Sequence, residues 1–353
     1  MAEYYDTRVR GILSIFLVIL VFYLLKLLSS LLIPLVLALL FALLFQPLIL
    51  FLNKRKVPNW LIVPIISIIS LLVLIVLVNI IVQTSTDISS QQDYLLGRLN
   101  LKIEEALLWA SSVTGTDIKP EYVTDEISKM INGEFITTVL GGVASSISSI
   151  TGSFVMFALY YIVLLSGMSG SGEYLNYLAG KNSDGSLKEN FDKVSKSVYS
   201  YMVIKTLVNL SMGILVGVTC YAFGIKFPIF WGFLTFVFHY IPTIGSIIAT
   251  IPPVLMGIIQ FDAFGTILAF LLILMAVQFI MGNVVEPKIM GGHLRLNTVA
   301  VIFGLVFWGY IWGVTGMMLS VPLLVILKLV FEHFPSLEIF ARLMGYPDNA
   351  DVK

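Results

Sequence analysis

Over the whole stretch from Phe227 to Leu327 the chain carries only four formal charges: Asp262, Glu286, Lys288 and Arg295. Glu286 and Lys288 share one short segment, GNVVEPKIMGG, and Arg295 follows just beyond it. The flanking stretches are uncharged and far too long to be ordinary core, which places them in a bilayer. They are also interrupted by Gly and Pro. Irregular backbone survives at membrane depth only where protein or a cavity surrounds it, so a polar cluster between broken apolar segments points to a solute pathway.

Composition agrees. The chain has 353 residues, of which 58% are hydrophobic and 12% charged, against roughly 25% charged in soluble domains. The expected class is an all-α, polytopic helical membrane protein. A net charge of zero gives no footing for nucleic acid. The single cysteine, Cys220, cannot form an intrachain disulfide and reads as a small core residue. Arg8 and Arg10 precede an apolar run that continues without a small-residue cleavage site, so the N-terminus reads as a retained anchor.

Residues 1–83 read as an N-terminal hairpin followed by a span. A helix over 11–52 would be about twice the hydrocarbon thickness, so two passes or a tight hairpin are expected, with Lys26 near the turn. Lys54, Arg55 and Lys56 form the strongest positive-inside marker, which puts both termini in the cytoplasm. Residues 84–134 hold four basic and nine acidic residues. There, Leu95, Leu96, Leu99, Ile103, Ala106 and Leu107 repeat at helical spacing, so an amphipathic excursion outside the bilayer is expected, with a turn at 114–121. Residues 135–172 read as a span opening on a Gly/Ser-rich stretch, and 173–205 as an interfacial amphipathic helix. Residues 206–353 form a C-terminal transport unit in which two overlong segments flank one clean span. FHYIPTIGSIIATIPP is broken at Pro242, Gly245 and Pro252–Pro253. FWGYIWGVTGMMLSVP carries Gly309, Gly313 and Gly316, which read as one face of small residues. Re-entrant hairpins at both would give six full spans; two kinked crossings would give eight.

The expected pathway residues are His239, Pro242, Gly245, Gln278, Asn283, Glu286, Pro287, Lys288, Gly313 and Gly316. A carboxylate such as Glu286 at the mouth of a span can exchange a proton or hold a cation. Pro287 frees backbone carbonyls. His239 is the one titratable side chain next to the Pro242 break apart from Tyr240, and histidine is the residue type suited to physiological switching. Glu286 and Lys288 equally suit a solvated membrane boundary, and His239 a helix-to-helix hydrogen bond. Asn79, Asn209, Gln278 and Asn283 suit helix bridging. Trp231, Trp308, Tyr310 and Trp312 read as an interfacial belt. GMSG, with Ser169, matches a fragment of intramembrane serine proteases but sits in a polar loop, and no Walker loop or metal-spaced His/Cys set is present. No cofactor, no metal and no enzymatic activity are expected.

The segments running from Asn283 to Lys328 and from His239 to Pro253 resemble signature regions of the autoinducer-2 exporter family, in its TqsA-like branch. The resemblance covers nearly the whole chain. It implies a multi-pass inner-membrane protein without ATPase that exports autoinducer-2 or related small solutes, some relatives being described as Na⁺(Li⁺)/H⁺ antiporters. It also implies a homo-oligomer, a pentamer, whose broken hairpins bind or move. The matching positions are Pro242, Gly245, Pro252, Asn283, Glu286, Pro287, Gly291, Gly316 and Pro322. Asn297-Thr298 stands where relatives often have Pro or Ser. Three functions follow as expectations. The first is a secondary exporter of a small polar solute with Glu286 and His239 coupling a proton. The second is a Na⁺(Li⁺)/H⁺ antiporter, and the third a scaffold that uses 84–134.

Overall fold

The structure, a computed structural model, describes residues 2–115, 154–167, 186–290, 296–332 and 337–345. These are almost wholly helical. The helices, in chain order, are α1 (Ala2–Leu27), α2 (Ser29–Leu44), α3 (Gln46–Lys54), α4 (Asn59–Ser90), α5 (Gln92–Thr114), α6 (Phe154–Gly167) and α7 (Ser186–Ala222). They continue with α8 (Pro228–Phe238), α9 (Ile244–Gln260), α10 (Phe264–Ile280), α11 (Glu286–Met290), α12 (Thr298–Glu332) and α13 (Glu338–Met344). Helix is what a lipid-embedded chain must adopt, because every backbone group has to be satisfied from within. Among the described residues, four helices are long and apolar enough to cross a membrane, or five if the bent α1–α2 pair is one span. The all-α polytopic class expected from the sequence is the one observed.

The chain divides into two compact units. Unit 1 comprises Met1–Ser67, Gly152–Ile204 and Met290–Lys353. Its core gathers Ala38, Ala42, Ile49, Ile62, Ile66, Tyr161 and Leu165. Between α1 and α2 the chain turns by 82° at Leu28, a near right angle in place of the antiparallel hairpin expected. No proline makes this bend. The second overlong segment braces it: Trp312 Nε1 donates to the Leu25 carbonyl at 2.9 Å. Phe22 meets Phe307 edge-on at 4.9 Å, and Lys26 Nζ lies 4.1 Å from the Tyr310 ring. The indole thus fills a carbonyl that the end of α1 leaves without a helical partner.

Helix α12 passes for a single span by length, but it is a hairpin. At Gly313 the backbone leaves the helical region (φ 63°, ψ −145°). A side chain at Gly304 would strike Leu324, which a straight helix would hold about 30 Å away. Gly309 faces Met317, and Gly316 faces the Trp308 carbonyl. The expected common face of Gly309, Gly313 and Gly316 therefore does not exist. Gly313 turns the chain, and the other two sit on opposite limbs, each permitting close approach. The aromatic belt also changes: Trp231, Trp308 and Trp312 are buried, and only Tyr310 stands out, 76% exposed. Asn297 secures the start of α12. Its Oδ1 accepts from the Ala300 N–H at 2.7 Å as an N-cap, and its amide donates to the Leu343 carbonyl at 2.6 Å, tying α13 alongside.

Unit 2 comprises Ile68–Thr151 and Lys205–Ile289. The first overlong segment is likewise a hairpin, α8 and α9 joined by residues 239–243. Helix α8 runs antiparallel to α7 through small residues. A side chain at Gly213 would meet the Gly232 carbonyl at 2.6 Å, and one at Gly217 the Pro228 carbonyl at 3.3 Å. Gly213 and Gly217 stand four apart, the spacing that lets helix backbones touch in lipid. The same register carries up to Thr206 and Tyr240, whose hydroxyls share a hydrogen bond of 2.7 Å. Helix α10 closes on α9 where Phe270 packs over Gly257. From Phe264 to Glu286 the rod is about 33 Å long, one hydrocarbon thickness. The Asp262 end and the Glu286 end of the unit are thus a bilayer apart.

At the Asp262 end, α5 clamps the hairpin's base. Of the face expected to be apolar, Leu95 is buried, Leu96, Leu99, Ile103 and Leu107 are partly buried, and Ala106 is exposed. Arg98 donates to the carbonyls of Ile259 and Gln260 at 3.2 and 3.3 Å, capping the end of α9, and pairs with Asp262 at 2.7 Å. Lys102 pairs with Asp262 at 3.0 Å. Lys226 bonds Gln91 and lies 4.3 Å from the Tyr94 ring. Hydrogen bonds from Arg98 first, and from Lys102 second, hold the Asp262 carboxyl below its ordinary range. Because folding lowers that value, the contribution is complete above about pH 4 and is lost as pH falls through the lower folded value. The protection of 92–114 against hydrogen exchange, taken relative to intrinsic amide exchange at each pH, is therefore expected to fall on acidification below about pH 4. In Asp262→Asn that protection should already be lower at neutral pH; equal protection in the variant would show that the clamp is inert. The second helix expected within 84–134, most of its turn at 114–121, and Ser169 lie outside the described residues.

Candidate functional site

Helix α7 runs unbroken through Lys205, where the sequence suggests an interfacial helix ending and a span beginning. Its buried side chains are Val198, Tyr201, Met202, Lys205, Val208, Asn209, Met212, Val216 and Cys220. These fall at three- and four-residue steps, so Lys205 sits on the inward stripe and not on the watery side. Its side chain is 5% exposed. A lone ammonium there would cost several kcal/mol, so a partner is required.

The partner is Glu286, and the backbone is shaped to deliver it. Along α10 the inward residues are Phe270, Leu274 and Met281, with Gln278 on the same side. Regular α spacing would next bring residue 285 inward. Instead Met281–Val285 forms a π turn, in which the Glu286 N–H reaches back to the Met281 carbonyl. One extra residue in the turn advances the phase and puts Glu286 where 285 would be. Pro287 contributes, since it has no N–H to offer the turn behind it. Single π turns of this kind recur at functional sites.

The Glu286 carboxylate is 19% exposed and held from two sides. Oε1 accepts from Lys205 Nζ. Oε2 lies 3.4 Å from His239 Nε2. His239, 6% exposed, comes from the hairpin apex. Its other ring nitrogen, Nδ1, is buried without a hydrogen-bond partner among the described residues. Asn209, one turn beyond Lys205, has both its donor and its acceptor satisfied when its amide is turned so that the nitrogen donates to the Lys205 carbonyl at 3.1 Å and the oxygen accepts from the Tyr240 N–H at 3.3 Å, an orientation that bridges α7 to the apex.

The apex is strained. Thr243 has φ 61° and ψ −53°, and the Ile244 N–H donates to the Pro242 carbonyl at 2.6 Å. This is the rarer γ-turn of positive φ, which costs a non-glycine residue of order 1–3 kcal/mol. Gly245, in the first turn of α9, lies against the Phe238 carbonyl, where a side chain has no room. Pro242 and Gly245 thus shape the loop that presents His239.

The remaining expected residues are distributed. Gln278 is partly buried, and its Oε1 has no hydrogen-bond partner among the described residues. Asn283 is exposed and donates to the Phe279 carbonyl at 3.2 Å. Pro287 and Lys288 are exposed. Gly313 and Gly316 belong to the α12 hairpin of unit 1. Glu286 and Lys288 therefore part company: only Lys288 is the solvated boundary charge. Among the described residues no group of three His, Cys, Asp or Glu side chains could hold a metal ion.

A buried acid–base trio at the end of a broken helical hairpin is an arrangement of transport proteins, and comparison with known proteins bears on this directly. Residues 12–336 match the AI-2E family transporter. The chain belongs to the AI-2E transporter family. A transport protein of Haemophilus influenzae, named as putative, is 29% identical over 310 residues, covering 87% of each chain. Another of that name, from Borreliella burgdorferi, is 32% identical over 304 residues, 85% of this chain and 80% of its own. The AI-2 transport protein TqsA of Escherichia coli is 30% identical over 220 residues, 62% of each. The resemblance seen in the sequence is thus family membership, and the chain is a multi-pass membrane protein of a family that carries out membrane transport.

Proposed function

We propose that this AI-2E family member is a secondary exporter of a small polar solute of the autoinducer-2 type. Glu286 and His239 handle a coupled proton, and the broken hairpins move to alternate access. The observation that carries this reading is the Glu286 carboxylate held between Lys205 and His239, because a proton gained or lost there changes the bonds that hold the hairpin apex. The strained apex supports it: a loop already off its resting geometry rearranges at low cost. The name of the Escherichia coli relative supports the solute class. We place the chain in the inner membrane with both termini cytoplasmic, on the basic turn at Lys54–Lys56, and as a homo-oligomer.

The test is solute efflux from proteoliposomes. Glu286→Gln is expected to lower it at least tenfold, while Lys54→Gln leaves it unchanged. Undiminished efflux in Glu286→Gln would sink the assignment. A Na⁺(Li⁺)/H⁺ antiporter remains the second reading, favoured by a part-buried carboxylate just beyond the π turn that ends an apolar helix. It requires Na⁺-driven proton movement that Glu286→Gln abolishes, whereas an exporter is indifferent to Na⁺.

A further inference from the structure

The export reading, on which this inference rests, leaves open what kind of solute the site accepts. The polar groups around Glu286 divide into those already engaged and those with capacity to spare. The neutral ones nearest it are engaged, the exception being Gln278 Oε1 further back on the same side of the helix, an acceptor with nothing to offer an anion. Thr206 and Tyr240 bond each other at 2.7 Å, Thr235 donates to the Trp231 carbonyl at 2.8 Å, and Asn209 bridges Lys205 and Tyr240. The spare capacity belongs to cationic or titratable nitrogen. Lys205 has three N–H donors, with Glu286 as its one side-chain partner among the described residues. His239 Nδ1 is a buried nitrogen without a partner among them. A neutral solute would meet, apart from Gln278 Oε1, amides and hydroxyls already in use. An oxygen-rich anion would meet unfilled donors on a charge that has already been brought out of water.

We propose that Lys205 is the docking point for a small oxyanion, a carboxylate-type solute, which displaces the Glu286 carboxylate and binds together with one proton. Before binding, the positive Lys205 faces the negative Glu286. Afterwards Lys205 faces the anion, and Glu286, having taken one proton from water, is neutral beside His239. No covalent bond of the solute forms or breaks, and the buried charge is unchanged. Movement of anion plus proton is therefore electroneutral. The titratable groups in contact with Glu286 are Lys205 from α7 and His239 from the apex, and the Tyr240 hydroxyl nearby is engaged with Thr206.

The full chain, in phosphatidylethanolamine–phosphatidylglycerol vesicles, is loaded with pyruvate, glycerate or inorganic phosphate as oxyanions, and with erythritol or ribose as neutral solutes. At least one oxyanion should leave at least tenfold faster than from protein-free vesicles, at a rate that an imposed membrane potential does not change. Lys205→Gln should lose that flux at least tenfold while Lys54→Gln keeps it. The same anion should raise the thermal midpoint of the wild type and leave that of Lys205→Gln unmoved. Oxyanion flux that survives Lys205→Gln, or flux of neutral solutes alone, overturns the anion site and leaves the export reading standing. Flux of neither class overturns both. Should Lys205→Gln fail to fold, the wild type decides: a midpoint raised by an oxyanion and by neither neutral solute supports the site, and no rise with any of the three overturns it.

Discussion

Replacing Lys205 by Met alone is expected to lower stability by about 3–5 kcal/mol, because it leaves the Glu286 carboxylate buried without its main partner. Adding Glu286→Gln to that variant should restore most of the loss, since a neutral pair of similar volume has no charge to desolvate. The two changes are therefore strongly non-additive, as expected of side chains in direct contact. Denaturant unfolding of the single and double variants in detergent measures this coupling. The readouts should then separate: stability returns in the double variant, but proton-linked transport does not, because the carboxylate that pairs with His239 in handling the proton is gone. A single-variant loss below about 1 kcal/mol would mean that water reaches the pair, as it does for surface ion pairs, and the site would lose its physical basis.

The second large effect concerns the two hairpin glycines. Gly245→Ala forces a methyl group against the Phe238 carbonyl, and Gly316→Ala forces one against the Trp308 carbonyl. In each case the obstacle is backbone, which cannot swing aside as a side-chain tip can. A loss of about 3 kcal/mol is expected for each, at the upper end of overpacking effects. Transport should fall with it, because the limb that carries the apex is pushed off its seat. Gly265→Ala is the control. No atom lies within 4 Å of its added carbon, so it should be neutral or slightly stabilising through the helix propensity of alanine. Thermal unfolding and efflux on the three variants suffice. If Gly245→Ala behaves like Gly265→Ala, the tight apex is not a requirement of the fold.

These two results also mark what could be read in advance. Pro242, Gly245, Gly313 and Gly316 announce broken helices in any apolar run, because Gly and Pro alter the backbone locally. The breaks were legible for that reason. Whether a break turns the chain back or merely kinks it depends on which side chains meet across it, as Gly304 meets Leu324, and no local rule supplies that. Lys205 was passed over for a different reason. Composition assigns a lysine flanking an apolar run to the water side, and the last charge before Thr206 marks a natural boundary. The corrective signal was present in the three- and four-residue steps from Val198 to Cys220, which continue through Lys205 without a change of phase. The pairing of Arg98 with Asp262 joins residues far apart in sequence and is set only by how α5 lies on the hairpin. Glu286 was identified by residue type, but its inward aim comes from the π turn, which a count of regular helical spacing does not show.

That turn makes chain length itself a determinant of the chemistry. Winding the same residues into ordinary helix would leave every ionisable side chain in place and yet swing the acid by roughly 100° away from Lys205, whereas removing Gly282, and with it the extra residue of the turn, would keep it facing inward. A deaf transporter could thus arise by addition of a single residue between Met281 and Glu286, and a compensating deletion in the same stretch would tune it back.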